Sequence, residues 1–327
     1  MMKAQAMAPF DRHQAPPRPG QEQQQQEQQQ EQEQEQEQEQ EQQQPRAQER
    51  ARGSWPPLPL AQMDAQLRAG LLGVMTDIDD TLTRDGAIEP AALAALHALA
   101  QAGLPVVAIT GRPLGWSLPF AQAWPVRAIV AENGAVAVLR ESDRLLTEFA
   151  QDAATRTANA HHLQQVARRI VQEVPGAVLA QDSAGRVTDM AIDHSEFNHL
   201  PGAAIAAVVA LMRSEGMQAT VSSIHINGWF GSHTKYSAAQ WMLRRLFGRE
   251  LQPEIDRWAY VGDSTNDQLM FQHFPCSVGV ANLLRFAADL QVWPAFITQA
   301  ERGEGFAEFV LAVLAARPRQ VGRAGAT

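Results

Sequence analysis

The sequence predicts an α/β fold: a parallel sheet between two layers of helices, interrupted by an inserted α+β unit. Two observations carry this reading. From Leu71 onward, short apolar runs each end in a small or polar cluster and lead into a segment of helical period, the alternation that builds a parallel sheet covered by helices. Between the third and fourth runs, a longer stretch breaks that rhythm and reads as αββαββ.

The runs are LLGVMTDID (71–79), LPVVAITGR (104–112), RAIVAENG (127–134), RWAYVGDS (257–264), CSVGVA (276–281) and AFITQ (295–299). Each is apolar on both alternating faces, as a strand buried between helices must be. After the first run, Pro90 suits a first helical position, Leu93, Leu96 and Leu99 form a stripe, and Gly103 can end the helix. In the irregular stretch, 152–173 reads as helix, 176–181 and 186–193 as strands about Ser183-Ala184-Gly185, 203–215 as helix, and 218–230 as two strands. Such a unit forms its own antiparallel sheet with helices on one face. The expected organisation is a discontinuous core over 54–150 and 231–318, an inserted cap at 151–230 and a flexible C-terminus at 319–327.

Residues 1–53 are expected to be disordered. Within them, 21–44 consist only of Gln and Glu, and their eight glutamates supply nearly all of the net charge of −9. A segment without apolar side chains cannot offset the entropy of ordering, and it lacks the apolar heptad of a coiled coil. The acidic balance therefore belongs to the tail and says little about partners of the folded part. The one cysteine, Cys276, excludes an internal disulfide framework and a cysteine-based zinc cluster. No apolar run is long enough to span a bilayer and the N-terminus has no signal-like stretch, so a cytoplasmic protein is expected. The absence of a Lys/Arg stripe with interleaved aromatics argues against nucleic acid as a partner. Nothing in the residues fixes an oligomeric state.

The chemical signals fall at the C-terminal ends of the runs, where open α/β sheets bind ligands. Side chains two apart on an extended segment point the same way, so Asp77 and Asp79 can face one site while Ile78 anchors in the core. Paired acids need a cation; alternatively, one of them merely caps the following helix. The fourth run adds Asp263 and, one helical turn on, Asp267, with Asn266 between them. Thr110-Gly111-Arg112 offers a hydroxyl and exposed backbone N–H groups, a seat for one phosphate oxygen. Lys235 opens a helix extending to Phe247, whose Ala238, Trp241, Met242 and Leu246 face the core. A cation there opposes the helix dipole, a conflict that a shared anion removes.

In chain order, Asp77-Ile78-Asp79-Asp80-Thr81, Thr110-Gly111, Lys235 and Gly262-Asp263-Ser264-Thr265-Asn266-Asp267 resemble the four signature motifs of the haloacid dehalogenase phosphatases, over about residues 71–315. The long insertion, Asn133-Gly134-Ala135, Phe296-Ile297-Thr298 and Gly305-Phe306 are similar to the sugar-phosphatase branch with a large α/β cap, which includes trehalose-phosphate, sucrose-phosphate and mannosyl-phosphoglycerate phosphatases. The resemblance implies a Rossmann-like core and magnesium-dependent hydrolysis of a small phosphorylated metabolite, with a sugar phosphate favoured. It implies that Asp77 is the nucleophile and Asp79 the general acid and base. Magnesium would take the Asp77 carboxylate, the Asp79 backbone carbonyl and Asp263. Thr110, Gly111, Lys235 and Asn266 would hold phosphate oxygens, and Asp267 would orient Lys235 or a metal-bound water. Asp80 stands where this family often has glycine, and its side chain is expected to point away from the site.

Candidate substrate contacts are Arg112, Glu132 and Asn133 on the core, and Asp193, His194, His199, Trp229 and His233 in or near the cap. Each also has an ordinary structural reading as a turn, packing or surface residue. Two other functions are compatible with parts of the pattern. A phosphosugar mutase would share the first motif but release little free phosphate, and a non-enzymatic phospho-ligand binder would not need both Asp77 and Asp79.

Overall fold

The computed structural model describes residues 56–142 and 144–317; the segments 1–53 and 319–327, predicted to be disordered and flexible, lie outside them. The central sheet has nine strands in the order Leu58–Pro59, Phe296–Ile297, Cys276–Gly279, Trp258–Gly262, Gly73–Thr76, Val106–Ile109, Ala128–Ala131, Val136–Glu141 and Arg144–Phe149. The first seven run parallel; Val136–Glu141 pairs antiparallel with Ala128–Ala131, and Arg144–Phe149 pairs antiparallel with Val136–Glu141.

Alternating side chains of the parallel strands bury on opposite faces, as a two-residue period requires. Val74, Val106, Ala108, Ala259 and Val261 pack against helices Pro90–Gln101 and Arg302–Ala316, through residues such as Leu96, Leu99, Phe306 and Phe309. Met75, Val107, Ile109, Trp258 and Tyr260 pack on the other side, against helices Lys235–Phe247 and Gln268–His273, with Met242, Leu243 and Phe271 in the contact. The α/β class and the parallel core agree with the sequence. Helix Pro90–Gln101 begins on its proline, and helix Lys235–Phe247 has the predicted bounds, with a reciprocal Thr234–Ser237 capping box and Gly248 in the left-handed region at its end.

Two features of the sheet differ from the sequence reading. The hairpin Val136–Phe149 has no counterpart in it, although the first strand is apolar and buried on both faces over Val136–Leu139. The outer strand Arg144–Phe149 is half-buried or exposed along its length, as an edge strand can be. Leu58–Pro59, a strand outside the predicted runs, adds a parallel edge to Phe296–Ile297, while Leu60 and Met63 enter the core.

Between the hairpin and helix Lys235–Phe247 the chain forms a second layer in the order α-β-β-α-β-β. Helices Ala153–Glu173 and Gly202–Ser214 contribute Leu163, Val166, Ile170, Val208 and Met212 to a separate apolar cluster. This packs on an antiparallel sheet ordered Gln218–Val221, His225–Trp229, Asp189–Asp193, Val178–Leu179. Asp152 caps the first helix by accepting the Thr155 N–H at 2.9 Å.

Candidate active site

The central strand Gly73–Thr76 is flanked by Trp258–Gly262 and Val106–Ile109, with Thr76 in register with Val261 and Ala108. Asp77, Asp263 and Thr110 therefore leave the same edge of the sheet from neighbouring strands. The Asp77 N–H still donates to the Val261 carbonyl at 2.9 Å, which ties the two acidic loops together. Ile78 is buried, and its carbonyl accepts the N–H groups of Thr81, Leu82 and Thr83, so the chain turns tightly after Asp79.

That turn places Asp80 at φ 54°, in the region glycine adopts without strain and aspartate tolerates better than most residues. The departure from glycine is thus a conformational substitution, secured by Arg302, whose Nε donates to Asp80 Oδ1 at 2.6 Å. Asp80 does not leave the site entirely. It lines the same cavity as Asp263, and its charge contributes to raising the Asp263 carboxyl.

Lys235 Nζ is buried and donates to Asp77 Oδ1 and Asp267 Oδ1, both at 2.7 Å, and to Asn266 Oδ1 at 3.3 Å. The anions that relieve its position at a helix N-terminus are these carboxylates. Asp267 is fully engaged, since Tyr260 also donates its hydroxyl to Oδ1 while Oδ2 accepts the N–H groups of Asp263 and Ser264 at 2.9 and 3.2 Å. Gly262 permits that fold-back; a Cβ there would lie 2.5 Å from Asp267 Oδ2. Asp263 is less well served. Its Oδ2 accepts from Asn282 at 3.2 Å, but its buried Oδ1 has no partner among the described residues.

Asp77, Asp263 and Asp267 can bring one oxygen each within 4.8 Å of one another. Burial raises the Asp77 carboxyl to about 7, opposed by Lys235 and reinforced by Asp267 and Asp79. Burial also lifts Asp263 far above the carboxylate range, helped by Asp77 and Asp267. Burial alone would lower the Lys235 ammonium, but Asp267 and Asp77 hold it above its usual value. Three buried carboxylates around one ammonium leave the loop short of positive charge. With an orphaned Asp263 oxygen and an all-oxygen donor set, these residues fit a hard divalent cation such as magnesium. Asp267 is the poorest ligand of the three because its oxygens are already taken.

Asp79 points elsewhere. Both its oxygens lie 3.0 Å from Arg112 Nε, and the same guanidinium reaches Glu196 Oε1 at 2.8 Å and Asp182 Oδ2 at 3.3 Å in the inserted layer. Burial raises the Asp79 carboxyl and Arg112 opposes the rise. Despite burial, His225 and Arg112 pull Glu196 down to about 2. Asp79, Arg112, Glu196, Asp263 and Asn282 line a cavity of about 410 Å³, and the exposed Phe197 stands at it.

The other sequence candidates divide. Thr110 is buried, accepts the Arg112 N–H at 3.0 Å and is followed by Gly111. Asn133 is buried at φ 57°, and its amide nitrogen has no partner among the described residues. His194 lines the Asp263 cavity and bonds the Ser222 carbonyl at 3.0 Å. Asp193 is a turn residue, accepting the N–H groups of Ser195, Glu196 and Phe197. Trp229 is packed and donates to the His233 carbonyl, and His199 is exposed. His233 is displaced from the expected place: it lines a different cavity of about 350 Å³, beside Gln151 and Trp241, and burial lowers its imidazole to about 4.

Glu132 proves to be a brace. Its carboxylate accepts the N–H groups of Leu114, Val187 and Thr188 and the Thr188 hydroxyl, joining the core to the inserted layer. Glu132→Ala leaves buried donors without partners and is expected to cost at least ~2 kcal/mol. A urea midpoint equal to that of the wild type would refute this role.

Asn282, Glu196 and His225 were not singled out from the sequence. Asn282 bridges the Asp80 carbonyl and Asp263 Oδ2, and His225 Nε2 lies 2.9 Å from Glu196 Oε2. Asn282 lies in the short 3-10 helix Ala281–Phe286, Glu196 in a turn and His225 on a strand, without local pattern, and only the tertiary fold brings Asn282 and Glu196 to the cavity and His225 against Glu196.

A helix-covered parallel sheet with acidic loops and a buried lysine gathered at one edge defines an α/β fold with a polar site at that edge. The family model of haloacid dehalogenase-like hydrolases matches residues 74–197, from the strand before Asp77 into the inserted layer. Among curated proteins none matches. The fold is similar to that of Thermoplasma acidophilum 0175, at 16% identity and TM-score 0.58, covering 75% of this chain and 98% of that one. It is similar to Synechocystis sucrose-phosphatase, determined with sucrose and phosphate, at 15% identity and TM-score 0.53, covering 74% and 97%. The C-terminal domain of C. albicans trehalose-6-phosphate phosphatase gives 11% identity and TM-score 0.56, covering 79% and 99%.

Proposed function

We propose that this chain is a magnesium-dependent phosphomonoester hydrolase that acts on a small phosphorylated metabolite, with a sugar phosphate the favoured class. The observation that carries the reading is the Asp263 loop: a buried carboxylate oxygen without a partner beside Asp77, whose other neighbour is Lys235. The names of the sucrose-phosphatase and trehalose-6-phosphate phosphatase folds support the phosphate-ester chemistry and the substrate class.

Asp77 and Asp263 carboxylates, with the Asp79 backbone carbonyl, would hold the magnesium ion. When bound, it supplies positive charge to the phosphoryl oxygens and to the crowded carboxylates. An Asp77 oxygen attacks phosphorus, the bond to the leaving oxygen breaks, and Asp79 gives its proton to that oxygen. Water then attacks the phosphorus of the aspartyl phosphate and yields a proton to Asp79, and orthophosphate and free Asp77 result. Lys235 fixes the Asp77 carboxylate and, with Thr110 and Asn266, balances charge on the transferring group. The raised carboxyl of Asp79 favours its acid form, and Arg112 must release it for that role. The inserted layer acts as the cap, with Arg112, Glu196 and His194 facing the leaving group.

The test is phosphate release from a panel of sugar phosphates, phosphoglycerates and nucleotides, with magnesium and with excess chelator. Release from a sugar phosphate, abolished by chelator and restored by added magnesium, is expected. Isomerised product with little free phosphate would point instead to a mutase.

A further inference from the structure

The inserted layer reaches the Thr110–Gly111 segment chiefly through a buried arginine. Arg186 Nη1 donates to the Gly111 carbonyl at 3.0 Å, while Asp189 holds the same nitrogen at 2.9 Å through both oxygens and Asp182 takes Nε at 3.2 Å. The side chain is 2% exposed and that of Asp189 0%, so the donor has no water to exchange with. Asn227 adds a second, longer donor to the same carbonyl at 3.3 Å. Glycine makes room for this approach, since a Cβ on Gly111 would lie 3.1 Å from Asn227 Oδ1.

The consequence lies on the other side of the peptide. The Gly111 carbonyl and the Arg112 N–H belong to one planar unit, and that N–H donates to Thr110 Oγ1 at 3.0 Å. A hydroxyl that accepts one hydrogen bond still has its own proton to give. Fixing the carbonyl with Arg186 therefore fixes the N–H, and the N–H turns the Thr110 hydroxyl so that its proton is free for an anion.

We propose that Arg186 is a positioning residue for phosphate binding. It acts from the inserted layer through the Gly111–Arg112 peptide to orient the Thr110 hydroxyl. This rests on the phosphatase reading above, in which Thr110 holds a phosphate oxygen. Docking of the inserted layer and readiness of the phosphate seat are then one event, because the contact that closes the layer on the core also sets the donor.

The experiment measures the inhibition constant of orthophosphate against p-nitrophenyl phosphate turnover, with kcat and KM, for wild type, Arg186→Gln, Arg186→Lys and Asn227→Ala. Orthophosphate binding is also read by calorimetry, and folding of each variant by its melting temperature. Arg186→Gln is expected to weaken orthophosphate binding by about tenfold and to raise KM by a similar factor, the scale of one well-aligned hydrogen bond. Arg186→Lys should recover part of the loss because it keeps a cationic donor, and Asn227→Ala should produce a smaller change. Variants that melt lower while binding orthophosphate as the wild type does would overturn the proposal and leave a purely structural arginine. A wild type that neither hydrolyses p-nitrophenyl phosphate nor binds orthophosphate would overturn the phosphatase reading and the proposal together. Should Arg186→Gln fail to fold, Arg186→Lys and Asn227→Ala decide, and unchanged orthophosphate constants in both reject the proposal.

Discussion

Asp77→Asn is expected to lower kcat by a factor on the order of 10⁴ or more, the scale on which enzymes lose activity when a covalent nucleophile is removed. The amide keeps the shape and its oxygen can still accept from Lys235, but it cannot form the acyl phosphate. The fold should not suffer. Burial raises the Asp77 carboxyl to about 7, so its ionised form opposes folding above the ordinary carboxylate range. Replacing it should leave the metal-free chain at least as resistant to urea at neutral pH as the wild type. A large drop in stability together with lost activity would mean that the residue is a structural anchor.

The second large effect concerns Lys235. Lys235→Met keeps most of the length and removes the ammonium that bridges Asp77 and Asp267, leaving two buried carboxylates without their cation. Breaking a buried pair from one side costs about 3–5 kcal/mol, and the same change should reduce kcat by at least ~10²-fold through loss of charge balance at the phosphoryl group. Adding Asp267→Asn should return part of the stability, because it removes one stranded charge, while activity stays low. Stability unchanged in Lys235→Met would contradict the ion-pair cluster described here.

The parts of this molecule that can be read along the chain are those made by local pattern. Six of the seven parallel strands are marked by doubly apolar runs, and helix Lys235–Phe247 is marked, with its bounds, by the apolar stripe from Ala238 to Leu246. Asp77, Asp263 and Lys235 were legible because each sits at the end of such an element, and the fold converges those ends on one edge. Asn282, Arg186 and Glu196 carry no comparable signal. Their significance comes from partners far away in sequence, such as Gly111 for Arg186 and Arg112 for Glu196.

Glu132 shows the opposite failure. An acidic residue near a strand end read as a substrate contact, whereas its left-handed backbone and three N–H partners make it a brace between layers. Arg112 is intermediate. It lies at the cavity as expected, but its first partner is Asp79, and its remaining bonds run to the inserted layer. The charge of Asp79 is thereby tied to the position of that layer, which composition and spacing alone do not reveal.

The most direct test of the central claim is chemical trapping of the intermediate. The chain is mixed with p-nitrophenyl phosphate and magnesium, quenched in acid within the first turnovers and reduced with borohydride, which converts an aspartyl phosphate to homoserine. The account predicts that peptide mass spectrometry finds that conversion at residue 77, dependent on both substrate and magnesium. Sustained turnover with Asp77 unmodified under the same quench would contradict it.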